Sequence, residues 1–228
     1  MTKICVPLRP KSQEEAILML EEGEALGDLT EIWVDQIKEL DFSILNNSKT
    51  KPIIIVNKGI AEKGLFEGDE EERVDILLEA ARNEIDYIDI GVDTDLAFIE
   101  NLRKECRKTK LIISYHNFEE TPPYETLKEI VDRALNLGAD VVKIATMAIA
   151  EEDNTTVLEL TKEYTNNGIK MIGICMGKLG KKSRIYAPLY KSYLMFAPLK
   201  NKSKTADGQI EVIKLKEMWA KLLHENKG

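Results

Sequence analysis

A (β/α)8 barrel, the TIM-type α/β architecture, is the fold class this sequence predicts, and three observations carry the prediction. Short apolar runs alternate with capped, amphipathic segments along the whole chain, giving eight strand-then-helix units. The length of 228 residues suits a barrel built as one domain over residues 1–228. An open doubly wound sheet more often carries a nucleotide fingerprint, and no Gly-x-Gly-x-x-Gly follows the first strand pattern.

The elements follow in order. Lys3-Ile4-Cys5-Val6-Pro7 reads as a short strand. Ser12 with Glu14 and Glu15 behind it offers a hydroxyl cap and an acidic first turn to a helix running to about residue 26. Residues 29–34 form the second strand, and after a less regular stretch Pro52-Ile53-Ile54-Ile55-Val56-Asn57 forms the third. Helical spacing through Val74, Ile76, Leu77 and Ala80 places a helix at 69–83, ahead of strand four at 87–91 and a helix at 95–107. Strand five at 110–115 precedes a helix at 124–137, and strand six at 141–145 precedes one at 151–165 that Asn167-Gly168 closes. Strand seven covers 170–176, followed by a basic, glycine-spaced segment at 177–184 and a short helical stretch. Strand eight covers 193–197, and residues 210–225 form the last helix. The polar run 200–208 before that helix is a loop placed to close over a substrate.

Hydrophobic residues at 43% and charged residues at 32% describe an ordinary globule. The net charge of −8 argues against nucleic acid or an anionic membrane as the partner. No apolar run is long enough to span a bilayer, and Met1-Thr2-Lys3 leads into a strand pattern rather than a signal peptide, so a cytoplasmic location is expected. Cys5, Cys106 and Cys175 lie far apart with no Cys-x-x-Cys, which predicts reduced structural thiols and neither a disulfide framework nor a zinc site. Without a His-x-His or a close acidic pair, no metal is expected either.

Among candidate functional groups Lys143 comes first. It sits in Val141-Val142-Lys143-Ile144-Ala145, a β-branched run that reads as a parallel strand buried on both faces. Desolvation disfavours an ammonium, and a neutral amine in a closed pocket attacks a ketone or aldehyde to give a Schiff base. The alternative is a strand-end lysine paired with a carboxylate or reaching water. Strand periodicity puts Ser114 and His116 on one face of the neighbouring strand, so lysine and histidine converge if both faces point inward. The chain's second histidine, His224, falls in the final helix, which leaves His116 as the imidazole acid or base, with a structural histidine as the alternative. The segment after strand seven suits an anion: Arg184 would fit a carboxylate or a phosphate, while Lys178, Lys181 and Lys182 read as a solvated face. Of the acids near strand ends (Glu31, Asp35, Glu62, Asp89 and Asp93), most read one by one as solvent-facing or cap residues. Met147, Met171 and Met176 read as core.

Four segments together resemble a known family. Ser114-Tyr115-His116-Asn117-Phe118-Glu119-Glu120-Thr121-Pro122 is similar to the Ser-x-His-Asp-Phe-x-x-Thr-Pro segment of type I 3-dehydroquinate dehydratases, and Val142-Lys143-Ile144-Ala145 resembles their Schiff-base strand. Met176-Gly177 through Ser183-Arg184 resembles Met-(Gly/Ala)-x-x-Gly-x-x-Ser-Arg, and Thr205-Ala206-Asp207-Gly208-Gln209-Ile210 resembles Ser-Ala-Pro-Gly-Gln-Ile. The resemblance implies dehydration of 3-dehydroquinate to 3-dehydroshikimate, a step towards chorismate and the aromatic amino acids, without metal or cofactor and in a homodimer. It implies that Lys143 forms the imine and that His116 moves the proton. Glu62, aligned through 58–64 with Arg-Ser-x-x-Glu-Gly-Gly, would orient that histidine. Arg184 would hold the substrate carboxylate, Glu31, Thr205 and Gln209 would bind its hydroxyls, and Lys58 would stand at a substrate-binding arginine position. Trp33 replaces a second arginine, Gly91 a glutamate and Asp207 a proline. The losses at Trp33 and Gly91 are expected to be coupled, an arginine and its facing carboxylate gone together. Two other readings stand beside this one: a class I Schiff-base aldolase acting on a sugar phosphate, and a barrel that binds a ligand without turnover.

Overall fold

The computed structural model describes residues 1–200 and 205–226, so residues 201–204 of the loop expected to close over substrate lie outside the described residues. Among the described residues eight parallel strands run in sequence order around the barrel, β1 (Lys3–Leu8), β2 (Leu29–Trp33), β3 (Ile53–Val56), β4 (Tyr87–Gly91), β5 (Lys110–Asn117), β6 (Val141–Met147), β7 (Met171–Met176) and β8 (Leu194–Phe196). β8 returns to pair with β1, Cys5 opposite Phe196. The seam between β7 and β8 carries a backbone bond from the Tyr193 N–H to the Met171 carbonyl, 2.8 Å, so the barrel is nearly closed.

Helices cover the outside because each strand buries both faces: β2, β3, β4 and β7 are buried throughout. The helices are α1 (Gln13–Leu26), α2 (Phe42–Ser48), α3 (Glu70–Arg82), α4 (Leu96–Glu105), α5 (Tyr124–Asn136), α6 (Glu152–Asn166), α7 (Lys181–Tyr186) and α8 (Val212–Glu225), with a 3-10 turn at Ile60–Glu62 after β3. Their ends follow the sequence signals. Ser12 caps α1 by accepting from the Glu15 N–H, and Asp69 and Glu72 form a reciprocal capping box on α3. Gly168 takes φ +83° after α6. Fully buried isoleucines such as Ile54, Ile88 and Ile112 fill the core, each contributing on the order of 1.5–3 kcal/mol.

Two differences from the sequence reading concern extent. The irregular stretch before β3 contains α2, capped by Asp41 and anchored by buried Phe42 and Leu45, a helix too short for the helical period to repeat. β5 and β6 run past residues 115 and 145, pairing His116 with Ala145 and Asn117 with Thr146, so His116 lies within the paired strand, on the face the alternation gave it. No described helix is long and apolar enough to cross a membrane. The three cysteines are free and buried, as expected.

Candidate active site

At the carboxyl ends of the strands a cavity of about 210 Å³ opens. Lys143, His116, Glu62, Arg184, Gln209, Thr205, Glu31 and Lys58 all line it, so the residues singled out from the sequence are brought together. Its apolar wall is Trp33, Phe118, Ala145, Met147, Ile174, Met176 and Phe196, which places two of the methionines read as core on the cavity surface.

Lys143 is 6% exposed, yet it is not an unpaired ammonium. Its Nζ donates to Asp89 Oδ2 at 3.0 Å and lies 3.6 Å from Glu31 Oε1. Burial pushes its pKa down, as the sequence reading anticipated, but Asp89 and Glu31 outweigh burial and hold it above the usual lysine value. The expectation that desolvation alone frees the amine is therefore corrected: the two carboxylates favour the charged form of Lys143. The decisive partner, Asp89, is the residue sequence reasoning missed. It is fully buried on β4 and is neither solvent-facing nor a cap. The available signal was an acid inside Tyr87-Ile88-Asp89-Ile90-Gly91, a strand apolar enough to be buried on both faces. Burial opposes its ionisation, but Lys143 and Lys58 on either side hold its carboxyl well below the usual range. Ser114 Oγ also donates to Asp89 Oδ1 at 2.7 Å.

His116 stacks on Phe118 with ring centroids 5.8 Å apart, and its Nδ1 lies 3.5 Å from Glu62 Oε1, an ion-pair distance at which it makes no hydrogen bond. Burial lowers the imidazole pKa. Glu62 opposes this, and Lys143 and Lys58 push it further down, so His116 is neutral at neutral pH and fit to accept a proton. Burial would raise the Glu62 pKa, but Lys58 and His116 bring it to about 2. Glu62 thus presents a carboxylate to the ring.

Arg184 is 1% exposed and pairs with no carboxylate among the described residues. Its Nε finds no acceptor, and burial lowers its pKa to about 10. Such a desolvated, uncompensated guanidinium is a site prepared for an anion. Neighbouring residues of its motif have structural tasks. Ser183 Oγ accepts from the Cys175 N–H and donates to the Gly180 carbonyl, pinning α7 to β7. Lys178, Lys181 and Lys182 are exposed, as read, and Lys182 pairs with Glu151. The Thr205–Gln209 segment is set by two glycines at positive φ, Gly177 and Gly208, where a Cβ on Gly208 would stand 2.3 Å from the Gly177 carbonyl oxygen. Gln209 Oε1 then accepts from the Thr205 N–H at 2.9 Å while its Nε2 donates to Thr205 Oγ1 at 3.0 Å.

The model of the family described as type I 3-dehydroquinase matches residues 4–227. The chain belongs to the type I 3-dehydroquinase family. It is 37% identical over 218 residues to a 3-dehydroquinate dehydratase of Methanocaldococcus jannaschii, covering 95% of this chain and 97% of that protein. Among solved structures it is similar to a 3-dehydroquinate dehydratase of Geobacillus kaustophilus HTA426, with TM-score 0.88 and 26% identity over 98% of this chain and 92% of that one. A second is the type I 3-dehydroquinate dehydratase of Clostridium difficile described with covalently modified comenic acid, with TM-score 0.85 and 25% identity over 99% and 93%.

Against the type I 3-dehydroquinase pattern, the departures now have surroundings. The Trp33 indole N–H donates to Glu31 Oε2 at 2.8 Å, and Arg9 stacks on the same indole with its guanidinium carbon 3.9 Å from the ring centroid. Trp33 therefore anchors Glu31 from within the strand. A side chain grown on Gly91 would approach Glu62 Oε1, 3.5 Å from its Cβ, and Thr94, with no Trp33 atom among its nearest neighbours. A Trp33→Arg, Gly91→Glu double variant tests the expected coupling: it should depart from the sum of its singles by more than ~0.5 kcal/mol in denaturant unfolding, and additivity would count against the pairing.

Proposed function

We propose that this protein is a 3-dehydroquinate dehydratase, a hydro-lyase that converts 3-dehydroquinate to 3-dehydroshikimate through an imine on Lys143, on the route to chorismate and the aromatic amino acids. The observation that carries the reading is the meeting in one cavity of a carboxylate-held lysine, a neutral histidine beside an ionised glutamate, and a buried arginine without a counter-charge.

The ketone carbon is attacked by Lys143, which first sheds a proton. Asp89 is nearer, at 3.0 Å, but its neighbouring cations hold its pKa down, so the acceptor is Glu31, 3.6 Å away and with its own pKa raised by burial against the pull of Lys143. Loss of water from the carbinolamine leaves an iminium, which draws electrons from the adjacent C–H. His116 takes that proton while Glu62 stabilises the imidazolium, and the imidazolium then gives the proton to the departing hydroxyl as the C–O bond breaks. Water hydrolyses the imine and restores the amine. Arg184 holds the substrate carboxylate, while Thr205, Gln209 and Glu31 bind hydroxyls. The resemblance puts Lys58 among the substrate ligands too. The chain works as one barrel domain, in the cytoplasm, as a homodimer, and the chemistry asks for no metal or cofactor. The exposed lysines after β7 offer no cradle for a sugar phosphate, which counts against the aldolase reading.

Incubation with 3-dehydroquinate, borohydride reduction and mass spectrometry test the assignment, alongside absorbance of the conjugated enone product. An adduct on Lys143 with turnover is the expected result. An adduct without turnover would make the protein a binding barrel, and trapping only of a sugar phosphate an aldolase. Arg184→Met separates binding from stability. It is expected to raise KM ~100-fold with a smaller change in kcat, because a desolvated charge-assisted contact is lost. It is also expected to raise the thermal midpoint of the ligand-free protein, because an uncompensated buried charge is removed. A lowered midpoint would mean that Arg184 has a structural partner.

A further inference from the structure

Lys58 replaces an arginine of the family pattern, and that position suggested a substrate ligand. Its surroundings point elsewhere. The side chain is 2% exposed, and an ammonium has three N–H donors. Three oxygens surround it: Glu62 Oε1 at 2.8 Å, Asp89 Oδ1 at 2.9 Å and Ser114 Oγ at 3.2 Å. Glu62 and Ser114 accept hydrogen bonds from it, and Asp89 stands in ion-pair contact. The two carboxylates it holds are those that hold the reacting groups, since Asp89 accepts from Lys143 at 3.0 Å and Glu62 faces His116 at 3.5 Å. Lys58 therefore stands in the middle of an ionic chain running Lys143, Asp89, Lys58, Glu62, His116.

We infer that Lys58 is a positioning residue that fixes Asp89 and Glu62, and through them the imine-forming lysine and the proton-moving histidine, without touching substrate. One ammonium at this point reaches both carboxylates, Glu62 and Asp89. The absence of a side chain at Gly91 fits the same arrangement, because a glutamate there would bring a third carboxylate to Glu62 Oε1 and compete for the single ammonium.

A ligand-free measurement tests the inference. The charged groups facing His116 are Glu62 from the turn after β3, Lys58 at the end of β3, Asp89 from β4 and Lys143 from β6. Removing Lys58 takes away a neighbouring cation, frees Glu62 to bond the ring and leaves Asp89 less neutralised. All three changes favour the imidazolium. In Lys58→Met the NMR titration midpoint of His116 is therefore expected to move to higher pH, with exposed His224 as the internal control, and Lys58→Arg is expected to return it towards the native position. An unmoved midpoint in Lys58→Met overturns the inference.

The kinetic arm rests on the dehydratase reading, whereas the titration does not, so failure of one is told apart from failure of the other. With 3-dehydroquinate, Lys58→Met is expected to lower kcat ~100-fold while KM stays within ~3-fold. A KM raised ~10-fold or more at native kcat would instead make Lys58 a substrate ligand. Should Lys58→Met fail to fold because two buried carboxylates lose their cation, Lys58→Arg decides. A native His116 midpoint with native KM supports the positioning role, and a ~10-fold change in KM at native kcat overturns it.

Discussion

Lys143→Ala abolishes borohydride-dependent attachment of 3-dehydroquinate and lowers turnover by ~10⁵-fold or more, the largest effect expected of any single substitution here. The amine is the atom that becomes covalently bound, so no neighbour shares its task. Lys58 does not take over, because its ammonium is held by hydrogen bonds to Glu62 and Ser114 and by the Asp89 carboxylate. Removing Lys143 also leaves Asp89 with Lys58 and Ser114 as partners, which keeps that carboxylate compensated and the fold intact. Mass spectrometry of the reduced mixture, with circular dichroism to confirm folding, reads the result. A retained adduct, or a rate within ~100-fold of native, would remove the imine from the mechanism.

His116→Ala is expected to act at a different point. Imine formation persists because the carbonyl is attacked by Lys143, while the proton transfers before and after it lose their carrier, so kcat falls by ~10²–10⁴-fold and the trapped adduct accumulates. Rapid-quench borohydride trapping distinguishes this from a structural histidine. If trapping and turnover fall in equal proportion, His116 acts on imine formation or on folding rather than on proton movement. The native acid limb of kcat/KM should lie below the ordinary histidine value. Burial, Lys143 and Lys58 lower the imidazole pKa more than Glu62 raises it, so the basic form persists to lower pH.

Particular residues show what was legible in the chain alone. The strand carrying Lys143 and the strand carrying His116 were readable because period-two alternation is local, and their convergence followed once both faced the barrel interior. The motif around His116 mixes tasks that sequence does not separate. Asn117 Oδ1 accepts from the Glu119 and Glu120 N–H groups, and Thr121 Oγ1 donates to the Met147 carbonyl, so both shape the loop and leave the reaction to the histidine. Asp89 stayed hidden because an acid in a strand is read one position at a time, whereas its burial depends on lysines 31 and 54 residues away; their pairing is seen only in three dimensions.

Local periodicity, capping and motif order by themselves determined the eight-fold alternation and the barrel, and singled out Lys143, His116, Glu62 and Arg184, which meet in one cavity. The tertiary structure decided their electrical surroundings. It sets Lys143 between two carboxylates, leaves Arg184 without one among the described residues, and puts Lys58 against Glu62 and Asp89. The division has one cause: periodicity is written in residues a few positions apart, whereas a buried charge is set by distances of about 3 Å between side chains that the chain brings together only when the barrel closes.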